Sequence, residues 1–412
     1  MSSVLIRGAR QVLTLRGCAG PRRGLELENL GIVQNGAVLV EDGLIREVGP
    51  TRRVENLEAS RQATIVDAAN SIVLPGFIDC HTDLITSAVP FVPDFPEPSF
   101  GSRMMWPLVD ALRQVSVALM KSAMLESLAL CAKHGTTTVQ LNSGFGLNEA
   151  AEVNMLRVFA SLSDAAAEAI AGFHGAHLVP NGFEGKSVDY MDWLCAKMLP
   201  LVARRRLAVF AHATCEEGSF GEVCLQRYLA RAASLGLATR VHFAQFGATN
   251  SIRFALEARA SSVDHLDFAS HADLEAIAIS ESIAVLLPAV SFYLGRERFV
   301  DARRLVDFGA AIALGTGYNQ LTAPGSNMQF AIFLACRKLG LSPAEAISAA
   351  TINAAHVLKI AYRTGSIEPG KQADLIVLNT PDYRALGHGF GVNLVSMTMK
   401  RGEVVYRSAS GT

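Results

Sequence analysis

Residues 74–85 read LPGFIDCHTDLI, an apolar run that ends by presenting His81 and, two residues later, the carboxylate of Asp83. On an extended strand, residues i and i+2 point to the same side, so the pair is placed to converge on one point. Imidazole and carboxylate are both good ligands for zinc, iron or manganese. His242, in RVHFAQ, supplies a third ligand. The set His81, Asp83 and His242 would leave an open position at which a divalent metal acidifies bound water. Further polar residues fall at the ends of similar apolar runs: Asn142, His177, His212, Gln245, His265 and the segment GTGYNQ at 315–320, which holds Gly317 and Asn319. Ten histidines in 412 residues is ordinary; five run ends that each carry one is not. Singly, each histidine can equally be a hydrogen-bonded group in a polar cavity. Together they mark an active site.

Those positions require elements that deliver them to one place. Strand-like runs recur at VLPGFID, TTTVQL, GFHGAHL, LAVFAHA, RVHFAQ, SVDHLDF, IAVLLP and AAIALGTG, separated by helical patterns such as SAMLESLALCAKHG and AEVNMLRVFASL. Eight buried parallel strands alternating with helices specify an α/β fold of the (β/α)8, or TIM-barrel, type, whose active sites lie at the C-terminal ends of the strands. The helix after the barrel opens with Ser342 as N-cap, Pro343 at the first position and Glu345 completing a capping box. The two termini differ from the middle. GAVLVEDGLIREVG places two alternating strands around Asp42-Gly43, a strong hairpin signal. ADLIVL and VSMTMKRGEVVYR give short strands around Arg401-Gly402. We expect a composite β-sandwich domain from residues 1–73 and 364–412, with the barrel spanning 74–363.

Composition narrows the function classes. The formal net charge is -1 and 18% of residues are charged, which gives no electrostatic reason to expect nucleic acid or an anionic membrane as partner. The run Arg204-Arg205-Arg206 reads as a solvated helix end before a strand. Seven scattered cysteines without C-x-x-C spacing argue for a reducing compartment and against a structural zinc site. The N-terminus carries no apolar leader, and the run IAVLLPAVSFYL is interrupted by Pro288. The expectation is a cytoplasmic protein acting on a small molecule.

The order and length of several motifs resemble imidazolonepropionase, a family within the amidohydrolase superfamily, over nearly the whole chain. They include NGAVLVEDGLIREVGP, LPGFIDCHTD, HGTTTVQLNSGFGLNEAAEVNMLRV, GAHLVP, VHFAQF, VDHLDF, VLLPAVSFYL and TGSIEPGKQADLIVL. The resemblance implies the same barrel and composite sandwich, a homodimer, and one metal that activates water to open a cyclic amide. His242 matches a metal ligand of the family, and His177 and His265 match positions facing the substrate or the metal-bound water. The departures fall on the chemistry. The family's H-x-H has become His81-x-Asp83. The acid three residues after the strand-five histidine is Gln245, kept as a candidate catalytic position although it cannot act as a base. The last-strand aspartate is Gly317, and the substrate-binding KSGYG has become NSGFG, with Asn142 and Phe145 in place of a cation and a phenol. The early loop ITSAVPFVPDFPEPSFGSR lacks the arginine pattern expected near a substrate carboxylate.

Three readings follow. The first is an amidohydrolase cutting a cyclic-amide-like C–N bond in a substrate other than imidazolonepropionate, less anionic than it. His81, Asp83 and His242 then hold the metal, His177 and His265 orient water or polarise a carbonyl, and Asn142, Phe145, His177 and Asn319 touch substrate. The second is a metal-free lyase, isomerase or cyclase with Asp83 as general base. The third is a non-catalytic binder. Minor candidates are His212 with Cys215, the pair Glu216-Glu217, and Met104-Met105-Trp106 in the first loop, read respectively as an inert thiol, a solvated turn and a packed lid.

Overall fold

Gly76 divides the two sheets of this protein. The computed structural model describes residues 3–17, 19–89, 102–183, 185–216, 219–249 and 252–409, with side chains in the helix at 102–114 described from Met105 onward. The strands run β1 (Ser3–Leu13), β2 (Ile32–Glu41), β3 (Leu44–Pro50), β4 (Thr64–Asp67) and β5 (Ile72–Pro75) before the barrel. Within it they are β6 (Phe77–Asp79), β7 (Thr136–Asn142), β8 (Glu168–Ala176), β9 (Phe210–Cys215), β10 (Ala238–Phe243), β11 (Ser262–His265), β12 (Ile283–Leu286) and β13 (Ile312–Leu314). Then come β14 (Leu375–Leu378), β15 (Val395–Lys400) and β16 (Glu403–Arg407). The run VLPGFID is thus two strands, not one. Leu74 and Pro75 pair with Ile376 and Leu375 of β14, whereas Phe77 and the residues after it pair with β7. A Cβ at Gly76 would lie 2.2 Å from the Thr137 side chain, so only glycine lets the chain pass that close to its neighbour.

The terminal sheet has the order β16-β15-β14-β5-β1-β2-β3, with β4 also on β1. It curls on itself. Val40 and Ile45 from one end share a buried core with Leu375, Met397 and Met399 from the other. The two hairpin tips meet: Asp42, Gly43, Arg401 and Gly402 all have positive φ (48°, 80°, 49° and 80°), as I′-type turns require. A Cβ on Gly43 would sit 2.7 Å from the Arg401 carbonyl oxygen.

The barrel strands are parallel and neighbour one another in sequence order, β6 through β13. Closure uses the segments just beyond the first and last strands. Gly317 N–H donates to His81 O (3.1 Å), and Asp83 N–H donates to Tyr318 O (2.7 Å). The expected capping box is present, with Ser342 accepting from Glu345 N and Glu345 accepting from Ser342 N. Arg204, Arg205 and Arg206 are exposed at the end of helix Leu199–Arg204. No single helix among the described residues is long and apolar enough to cross a membrane.

Candidate active site

Along each barrel strand the side chains alternate, and the inward set is polar near the C-terminal end. Gln140 and Asn142 on β7, His212 and Thr214 on β9, and Arg240 and His242 on β10 are spaced by two, and all are buried. Six histidines, at positions 81, 174, 177, 212, 242 and 265, stack against one another there. Ring centroids are 4.2 Å apart for His174–His242, 4.4 Å for His174–His177, and 4.5 Å for His81–His242. Burial, with the neighbouring imidazoles adding to it, lowers the pKa of His174, His242 and His265. Burial, then Arg240, lowers that of His212. His177 is lowered by burial and partly restored by Asp83. These rings are neutral at pH 7, the form in which imidazole ligates a metal.

Among the described residues, two groups of three could hold an ion, each with its ligand atoms within 4.8 Å of one another: His81, His242 and His265, and His212, His242 and Asp264. Electrostatics separates them. Asp264 is completely buried and already bonded to the Arg240 guanidinium at 2.7 Å, to His81 Nδ1 at 2.7 Å and to Ser262 Oγ at 2.6 Å. Burial alone would raise its pKa, but Arg240 and His81 hold it well below the usual carboxylate range. An arginine on the carboxylate repels a cation from that group. In the other group the same carboxylate orients a ligand, because it accepts a hydrogen bond from His81 Nδ1–H and leaves Nε2 as the ligating atom. His265 Nδ1 is buried without a hydrogen-bond partner among the described residues, as suits a ligand or a group facing one. The residues present therefore fit a three-histidine metal site.

Asp83 stands beside this trio and outside it. Regular pairing in β6 ends at Asp79, and Asp83 has φ -103° and ψ 43° at the start of the 3-10 turn Leu84–Ala88. The same-side rule for i and i+2 in a strand does not hold through such a conformation. Asp83 Oδ2 accepts from Asn319 Nδ2 at 2.9 Å, while Oδ1 is buried with no partner among the described residues. His81, Asp83, His177, His242, Gln245, His265, Gly317 and Asn319 do line one pocket, with Met105, Thr214, Phe246 and Thr322. Asn142 and Phe145 are not among its lining residues. Asn142 accepts from Gln140 Nε2 at 2.7 Å inside the barrel, and Phe145 packs edge-on against His177 with centroids 5.1 Å apart.

Gly317 closes off a carboxylate at its position. Its φ is +64°, and a Cβ there would lie 2.5 Å from Val290 Cγ2. Gln245 is held through its backbone: its N–H and that of Phe246 donate to Glu216, at 2.5 and 3.2 Å, and Arg296 donates to its carbonyl. Burial pushes the Glu216 carboxyl up to about 7 despite those bonds, so this residue is a buried clamp and not a solvated turn. Asp267, bonded to Ser291, is likewise raised by burial to about 7. Burial and Glu216 push the Cys215 thiol up to about 12, which leaves it an inert thiol. Trp106 packs on the core beside Met105; Glu217, the Met104 side chain and residues 90–101 of the first loop lie outside the described residues.

Several residues of the site escape a reading that looks only at run ends. His174 lies three residues before His177 at a register irregularity in β8, its ring stacked on that of His177 and its Nε2 at 2.9 Å from Thr214 Oγ1. Glu152 accepts from the N–H groups of Gly144, Gly146 and Leu147 and so fixes the loop whose Gly144 carbonyl accepts a hydrogen bond from His177 Nδ1–H. A signal existed for Arg240. It precedes His242 by two on one strand, and an inward arginine must be paired. Asp264 is opposite His242 in register. The backbone at Ala244, His265 and Leu266 has positive φ (52°, 79° and 71°), strain that gathers at functional sites.

A model described as the amidohydrolase family matches residues 72–405. The imidazolonepropionase of Chloroflexus aggregans is 35% identical over 98% of this chain and 98% of its own length. That of Clostridium tetani is 34% identical over 99% of both. An atrazine chlorohydrolase from Arthrobacter aurescens TC1, complexed with zinc, has a TM-score of 0.77 at 17% identity, covering 97% of this chain and 94% of that one. E. coli guanine deaminase gives 0.70 at 15% identity over 99% and 100%. These structural likenesses establish the barrel-and-sandwich fold. The chain belongs to the amidohydrolase family, as an imidazolonepropionase-like hydrolase of C–N bonds.

Proposed function

We propose that the protein hydrolyses a cyclic-amide-like C–N bond in a small molecule other than imidazolonepropionate, with one divalent metal (zinc, iron or manganese) held by His81, His242 and His265. The observation that carries this reading is the convergence of three buried imidazoles on one pocket, with Asp264 and Arg240 fixing the first of them. When bound, the metal supplies Lewis acidity and lowers the pKa of a coordinated water. The chain's own residues supply the rest. His177 donates an Nδ1–H hydrogen bond to Gly144 O at 3.0 Å, which leaves its Nε2 as the pocket's proton carrier. Glu152 holds the loop that fixes that tautomer. Glu216 and Arg296 hold the Gln245–Phe246 wall against the substrate.

Imidazolonepropionate is disfavoured because Gln245 and Gly317 stand where the family has carboxylates. Loss of a general acid or base costs about 10² to 10⁴ in rate. A homodimer belongs to the same reading and is checked by light scattering. The function itself is tested with zinc- or manganese-loaded protein on a panel of cyclic amides and amino-substituted nitrogen rings, reading ring opening or ammonia release. Expected is turnover that is lost on chelation and in His265→Ala, with imidazolonepropionate among the poorest substrates. Turnover indifferent to chelation moves the chain to metal-free acid–base chemistry, and imidazolonepropionate as the best substrate overturns the proposal.

A further inference from the structure

The pocket contains a carboxylate oxygen with nothing to bind. Asp83 lines it, with Oδ2 tied to Asn319 Nδ2 and Oδ1 buried without a partner among the described residues. Asn319 is itself fixed, its Oδ1 accepting from Leu321 N–H at 2.9 Å and its N–H donating to Ala323 O at 3.1 Å. The free oxygen is therefore held in place. A buried acceptor left unsatisfied is destabilising, the more so when charged, so the bound state is where it finds a donor.

Among the described residues that line the pocket, none is a lysine or arginine. Arg240 is spent on Asp264, and Arg296 gives a hydrogen to the Gln245 carbonyl and lies 4.0 Å from Asp267. Asp83 puts a carboxylate in the pocket beside the proposed metal site, and its Oδ1 rewards a ring that brings an N–H donor and positive charge to that oxygen.

We infer that Asp83 is the specificity determinant of this pocket, its Oδ1 accepting a hydrogen bond from a cationic, amidine-type nitrogen heterocycle. The inference rests on the hydrolase reading above and names its substrate class. It also assigns Asp83 to the substrate and not to the metal, in keeping with its place outside the histidine trio.

The test is calorimetric binding to the full chain, as purified and after zinc loading, with three probes: 2-aminoimidazole (a cation at neutral pH), imidazol-2-one (neutral) and imidazole-4-carboxylate (anionic). Expected is a cation preference of about 10-fold or more over the neutral ring, the worth of one hydrogen bond to a charged group, with the anion weakest. Asp83→Asn should bring the cation-to-neutral ratio to about one while zinc content stays at the wild-type level. Anion binding as tight as the cation's overturns the inference, as does an unchanged ratio in Asp83→Asn or loss of zinc from that variant. The wild-type ranking needs no variant, so a misfolded Asp83→Asn leaves the test intact. Cation preference without turnover on any substrate would sink the hydrolase reading and leave the role of Asp83 standing. Metal-dependent turnover without cation preference would do the reverse.

Discussion

Asp264 shows how one residue can set both stability and chemistry. It neutralises a fully buried arginine and orients a candidate ligand in the same geometry. Asp264→Asn leaves Arg240 charged and unpaired, so we expect a loss of about 3–5 kcal/mol in denaturant unfolding. Metal affinity should also fall by about 10- to 100-fold in competition titrations. Stability and affinity both unchanged would mean that the pair is incidental. Gly317 makes the complementary case. Asp at this position meets Val290 and a left-handed backbone, so Gly317→Asp should lower stability by about 1–3 kcal/mol and fail to confer imidazolonepropionase activity. A stable, active Gly317→Asp would mean that the parent site is intact but for one side chain. These residue-level departures were visible as letters; their consequences were not, because φ and the Val290 contact depend on partners distant in sequence.

Elements explain why the run ends were a good guide to the barrel and a weaker one to the ligands. Strand periodicity marked His242 and His265, which lie at the ends of regular strands. The same-side rule does not extend to Asp83, because β6 is short and the chain turns before that residue. Periodicity also merged β5 with β6, since an apolar run reads the same whether it belongs to one sheet or two. The Glu216 clamp is an element-scale device, tying the end of β9 to the turn after β10. Its folded-state pKa of about 7 lies above the ordinary 4.5. Its contribution to stability is therefore complete below about pH 4.5 and is lost as pH rises through about 7. Glu216→Gln, which cannot ionise, should thus gain in melting temperature relative to wild type as pH rises from about 4.5 to 7, with the gap constant above that. Parallel melting curves across that range would show that Glu216 does not titrate there.

At the scale of the molecule, both termini build one sheet around the start of the barrel. The hairpin signals at Asp42-Gly43 and Arg401-Gly402 were legible, and the fold brings those two tips into contact. The barrel was legible because its strands are buried on both faces and read as continuous apolar runs. What no single strand could reveal is that six histidines from five strands or strand ends pack as one cluster, with a buried Arg–Asp pair beneath it. The central claim is that three of those histidines hold the metal and that Asp83 does not. Plasma mass spectrometry of protein purified without chelator, then offered zinc, manganese and iron, tests it most directly. The account predicts close to one metal per chain in the wild type and in Asp83→Asn, and loss of it in His265→Ala. Metal retained in His265→Ala but lost in Asp83→Asn, or absent from the wild type under every condition, would contradict it.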